Sequence, residues 1–99
     1  MYRKRTMPYI KDFNKRLTID AHIYDLLQEV HNEGDLNYTI TKICLVYLSK
    51  FSLSYAILNT IIGTLSCVLS EFYRRVVAPY EDKKIEENGD IKEFSNNKL

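Results

Sequence analysis

Apolar residues recur at helical spacing along most of this chain, and charged residues fill the gaps between them. Ile19, Ile23, Leu26, Leu27 and Val30 fall on one face, which predicts a helix from about Ile19 to His31 with Thr18 as its N-cap. Asn32-Glu33-Gly34 is expected to end it, Gly34 taking the left-handed closing position. Asp35 then caps a second helix, Leu36 to Lys50, with Leu36, Ile40, Ile43, Cys44, Tyr47, Leu48 and Phe51 inward. The short turn predicts that these two helices pack as antiparallel neighbours. Ser52 or Ser54 caps a third and longest helix, Tyr55 to Val77, whose wide apolar stripe is Leu58, Ile61, Ile62, Leu65, Val68, Leu69, Phe72 and Val76.

That third helix carries a second stripe. Asn59, Gly63, Ser66 and Ser70 make a seam of small and polar side chains that lets another helix approach closely, either within the monomer or across a symmetric dimer. Pro79 lacks an N–H and crowds the carbonyl four residues back, so the chain is expected to kink or restart there. A fourth helix from Pro79 to about Asn88 fits, with Glu81 and Asp82 in its first turn and Gly89 closing it. The pattern thus predicts an all-α fold: a small helical bundle of three main helices plus a kinked C-terminal one. Residues 1–17 form a basic arm, with a turn near Pro8; residues 18–90 form the helical domain and residues 91–99 a frayed tail.

Composition supports one modest globular domain. The chain has 99 residues, 45% of them apolar and 27% charged, and a domain of this size often completes its core by oligomerising. Only three glycines and two prolines leave long helices uninterrupted. Formal net charge is +1, but Arg3, Lys4, Arg5, Lys11, Lys15 and Arg16 crowd the N-terminus and acidic residues crowd the C-terminus. Such ends attract an anionic partner, or each other across a subunit boundary. Tyr2, Tyr9 and Phe13 lie between the N-terminal cations, a mixture that single-stranded nucleic acid binds, but no reader motif accompanies it and an arm that packs its rings over the core and solvates its lysines is the leading reading.

Cys44 and Cys67 lack metal or disulfide spacing and are read as two reduced core thiols of a cytoplasmic protein. The basic N-terminus has no apolar segment of a signal peptide behind it. Ser52 to Ser70 is nineteen residues without a charge, long enough to span a bilayer. Its four serines, Asn59, Thr60 and Thr64 favour a buried helix of a soluble protein, and no membrane partner is expected.

Candidate chemistry concentrates between Glu71 and Lys84. Glu71 reaches Arg74 and Arg75 along a helix, while Arg75, Pro79 and Asp82 share one face and Tyr73, Val77 and Tyr80 another. Arginine and tyrosine are enriched at protein interfaces, so an interface or internal brace leads. The alternatives are a grip on a phosphate, nucleotide or nucleic acid through Arg74, Arg75, Lys83 and Lys84, and an inert ion-pair surface. Glu81-Asp82 and Glu86-Glu87 point about 100° apart within each pair and make no convergent carboxylate site. His22 and His31 share no helical face, and neither a phosphate loop nor a nucleophile–base set is present. No catalytic residue, metal or cofactor is expected.

Three segments also carry a resemblance. Leu36-Asn37-Tyr38-x-Ile40-Thr41, Leu53-Ser54-Tyr55-x-x-Leu58-Asn59-x-Ile61-Ile62-Gly63 and the run from Glu71 to Asp90 resemble a family of small proteins of tailed bacteriophages and prophages. The resemblance spans about Met7 to Ile91 and implies a helical, phage-encoded protein in the cytoplasm of an infected bacterium, with no implied activity. Relatives begin near a Met-Pro pair like Met7-Pro8, so residues 1–6 are expected to be either an extension or the product of a wrongly chosen upstream start codon. They also carry an acidic residue and a lysine where this chain reads Leu65-Ser66-Cys67-Val68-Leu69-Ser70, so no catalytic carboxylate is available there. The combined expectation is a non-catalytic accessory protein, homo-oligomeric, acting by stoichiometric binding to a host or phage protein. Its candidate contact residues are Asn59, Gly63, Glu71, Tyr73, Arg74, Arg75, Tyr80, Asp82, Lys83 and Lys84.

Overall fold

A computed structural model describes residues 9–95. The basic segment 1–6, the turn expected at Pro8 and the last four residues of the tail lie outside the described residues. The fold is all-α, with no strand among the described residues. Its elements are α1 (Phe13–Leu27), α2 (Glu33–Lys50), α3 (Tyr55–Phe72), a π-helical turn (Tyr73–Val77), α4 (Ala78–Asn88) and the single turn α5 (Lys92–Ser95). Contacts divide the chain into two units, one ending at Ile61 and one beginning at Ile62.

In the first unit, caps set the helix limits and move several expected boundaries. Helix α1 starts at Phe13, not Ile19, because the Asp12 carboxylate accepts the Lys15 N–H at 3.1 Å. Thr18 lies inside the helix, its hydroxyl donating to the Asn14 carbonyl at 3.2 Å. The last five residues of the expected arm are therefore helical, and the Arg16 guanidinium folds back onto the Ile10 carbonyl. The helix closes at Leu27 through tightened bonds from Gln28, Glu29 and Val30 to carbonyls three residues back. Gly34 does not take the left-handed closing role. It belongs to the first turn of α2, which Asn32 caps by accepting the Asp35 N–H at 2.8 Å.

Asp35, expected as the cap, instead accepts the His31 N–H at 3.0 Å, so the two side chains tie the connection from both sides. Asn32 is held extended at φ −148° and ψ 178°, which fixes the direction in which α2 leaves. The antiparallel pair does not form, since α1 and α2 do not pack along one another. Leu26, near the end of α1, lines a shallow groove of about 270 Å³ together with Tyr38, Thr39, Lys42, Ile43 and Val46 of α2. Tyr47 and Phe51 pack ring to ring at 4.9 Å where α2 ends. Ser54 then caps α3, its hydroxyl accepting the Ile57 N–H at 3.3 Å, as the sequence predicts.

The second unit shows how helix and proline are reconciled. Helical geometry runs unbroken from Tyr55 to Asn88, so the expected kink or restart at Pro79 takes the form of the π turn. The Ala78 N–H bonds to the Tyr73 carbonyl, five residues back, and widens the coil ahead of the ring that would crowd an α-helical carbonyl. Pro79 is the second residue of α4, directly after the π turn, and donates no N–H to the helix that continues through it. Gly89 closes α4 with φ +92°, its N–H donating to the Ile85 carbonyl at 2.8 Å. Beyond it, Lys92–Ser95 forms a helical turn in the segment expected as frayed tail.

None of the described residues is buried. The apolar faces read as inward remain largely exposed, with only Val30, Cys44, Leu48 and Ile61 half-buried. Cys44 is half-buried and Cys67 exposed, so neither is the core thiol expected of it.

Candidate functional site

The candidate residues occupy one continuous helical stretch. Asn59 and Gly63 lie exposed on α3, and an added Cβ at Gly63 would meet no atom within 4 Å. The small-residue seam therefore has no packing partner at that glycine among the described residues. At 100° per residue, the centre of this seam lies about 130° around the helix from the centre of the apolar stripe. Helix α3 thus presents an apolar face, a small and polar face, and a third face bearing Thr60, Cys67 and Glu71.

Glu71 anchors the charged cluster as the spacing predicts. One carboxylate oxygen accepts from Arg74, and the other stands 3.5 Å from the Arg75 guanidinium. Both arginines are more than half exposed, so each pair contributes roughly 1 kcal/mol at most and weakens with salt. Their effect is positional: they gather two cations around one anion and reduce the free positive charge.

The π turn creates a contact that the sequence reading missed. The Tyr73 hydroxyl donates to Glu81 Oε1 at 2.7 Å across eight residues. In an unbroken α-helix such residues stand about 80° apart around the axis. The residue absorbed by the π turn makes the spacing behave as seven, close to two full turns, and brings the side chains into line. The hydrogen bond to the Glu81 carboxylate, then its negative charge, then slight desolvation raise the Tyr73 phenol above the ordinary tyrosine value. Only the proline in the sequence hinted at this, and it did not specify a π turn.

Farther along α4, the Lys84 ammonium stands 5.5 Å from the centre of the Tyr80 ring and 3.2 Å from the Glu87 carboxylate. Asp82 and Lys83 are exposed on the same helix. The structure thus joins Glu71 with Arg74 and Arg75, Tyr73 with Glu81, and Tyr80 with Lys84 and Glu87. It does not gather Arg74, Arg75, Lys83 and Lys84 into one cradle. Among the described residues, no group of three His, Cys, Asp or Glu side chains is placed to hold a metal. The segment Tyr55–Asn88 is also long and apolar enough, by length and composition, to cross a membrane.

A family model described as Domain of unknown function (DUF6899) matches residues 7–91. No curated protein and no solved structure matches the chain.

Proposed function

The chain belongs to the DUF6899 family, and from that premise we propose that it is a non-catalytic interaction protein that self-associates and binds a protein partner stoichiometrically. The proposed setting is the cytoplasm of a phage-infected bacterium, on the resemblance to small tailed-phage proteins. The observation that carries the reading is the open apolar surface. Among the described residues none is buried, and Ile62, Val68, Leu69 and Phe72 of the second unit are each more than half exposed. Water-exposed leucine, isoleucine and phenylalanine favour a chain that completes its core by association.

The alternative, a small-anion or nucleic-acid binder, draws less support. Arg74 and Arg75 already hold Glu71, Lys84 holds Glu87, and a phosphate would have to displace those carboxylates. Native mass spectrometry of the full chain tests the two readings together. A defined oligomer without added mass is expected, and its mass persists in the double variant Arg74→Ala, Arg75→Ala. A monomer overturns self-association. An oligomer carrying nucleotide-sized mass that this variant loses overturns the interaction reading in favour of the ligand one.

A further inference from the structure

We infer that the Asn88–Gly89 peptide at the end of α4 is a spontaneous modification site, at which Asn88 closes to a succinimide when the helix end opens. The inference goes beyond the proposed function and holds whether or not the chain self-associates. The reaction needs a backbone nitrogen free to reach the side-chain amide carbon of the asparagine before it, and glycine offers no Cβ to obstruct that approach. Asn88 is followed by glycine, whereas Asn14, Asn32, Asn37 and Asn59 precede Lys15, Glu33, Tyr38 and Thr60. The structure sets Asn88 apart again. It is the last residue of α4, Gly89 lies beyond the helix at φ +92°, and both are exposed to the base and water that the reaction uses. Asn14, Asn37 and Asn59 stand within α1, α2 and α3 with helix continuing after them, and the Asn32 side chain is engaged by the Asp35 N–H.

The Gly89 nitrogen gives up its proton to a solvent base and attacks Asn88 Cγ. The N–Cγ bond forms, the Cγ–Nδ2 bond breaks, and Nδ2 leaves as ammonia. Water then opens the ring at either carbonyl, giving aspartate or isoaspartate. The cap controls the first step. In the folded chain the Gly89 N–H donates to the Ile85 carbonyl at 2.8 Å while Asn88 is held helical, so the last turn must open before the nitrogen can attack. The product then undoes the cap. Glu86 and Glu87 precede Asn88 and no basic residue lies in the last turn, so a new carboxylate joins negative charge at the unfavourable end of the helix. Isoaspartate adds a methylene to the main chain and carries Gly89 away from Ile85.

The experiment ages the full chain at mildly alkaline pH, with and without guanidinium chloride, and follows its tryptic peptides by mass spectrometry. The peptide Ile85–Lys92 is expected to show the mass change of amide to acid and to become a substrate for isoaspartyl methyltransferase. It changes ahead of the peptides that hold Asn14, Asn32, Asn37 and Asn59. The change is at least about tenfold faster in denaturant, where no cap has to open first. Asn88→Gln, whose longer side chain closes a larger and slower-forming ring, is expected to abolish it. An Asn88 that stays intact in denaturant, or one that changes after another of these asparagines in the folded chain, overturns the site. Equal rates with and without denaturant overturn the control exerted by the Ile85–Gly89 bond.

Discussion

Tyr73 and Glu81 stand eight residues apart, a spacing that joins no side chains in a regular α-helix, yet their oxygens are 2.7 Å apart. Because the folded chain raises the phenol pKa, it favours the protonated tyrosine. The stabilisation from this bond is fully present below the unfolded value near 10 and fades as pH rises through the higher folded value. Difference absorbance titration of the full chain against Tyr73→Phe is expected to assign a late-ionising tyrosine to this position. Glu81→Gln is expected to move that tyrosine back toward about pH 10. A Tyr73 that ionises with the exposed tyrosines in the unaltered protein would contradict the contact. The Glu71 pairs were legible from i, i+3 and i, i+4 spacing alone, whereas the Tyr73–Glu81 pair was not. Helical arithmetic assumes a constant turn, and the π turn breaks it at this place.

Helix positions were readable where a side chain states its role. Ser54, Lys50, Asn88 and Gly89 mark the start of α3 and the ends of α2 and α4 where the pattern put them. The errors fell where two polar residues compete to cap, as Asn32 and Asp35 do, or where Asp12 caps ahead of the apolar run. Gly34 and Gly89 were given the same closing role, but only Gly89 has a positive φ. At φ +92° and ψ 152° it occupies a region essentially closed to other residues, so Gly89→Ala is expected to cost about 1–3 kcal/mol. Gly34→Ala, in a helical turn where the added Cβ would stand 3.4 Å from Asn32 Oδ1, is expected to gain about 0.4–1 kcal/mol. Urea unfolding of both variants at one protein concentration checks the pair, and equal effects would contradict the assigned backbone conformations.

At the scale of the whole molecule, periodicity identifies which face of each helix avoids water but not what that face meets. The residues of α1, α2 and α3 read as inward form apolar stripes, but among the described residues none of them is buried. A stripe reads the same whether its partner is a neighbouring helix of the same chain or a helix of another copy. The same ambiguity left Asn59 and Gly63 between an internal and an intermolecular seam, and Gly63 has open space around it. If association supplies the core, folding and assembly are one equilibrium and stability depends on protomer concentration. The most direct measurement is the urea midpoint by far-ultraviolet circular dichroism across a hundredfold range of protein concentration. A midpoint that rises steadily with concentration is the predicted result. A midpoint independent of concentration, with a monomeric mass throughout, would contradict it.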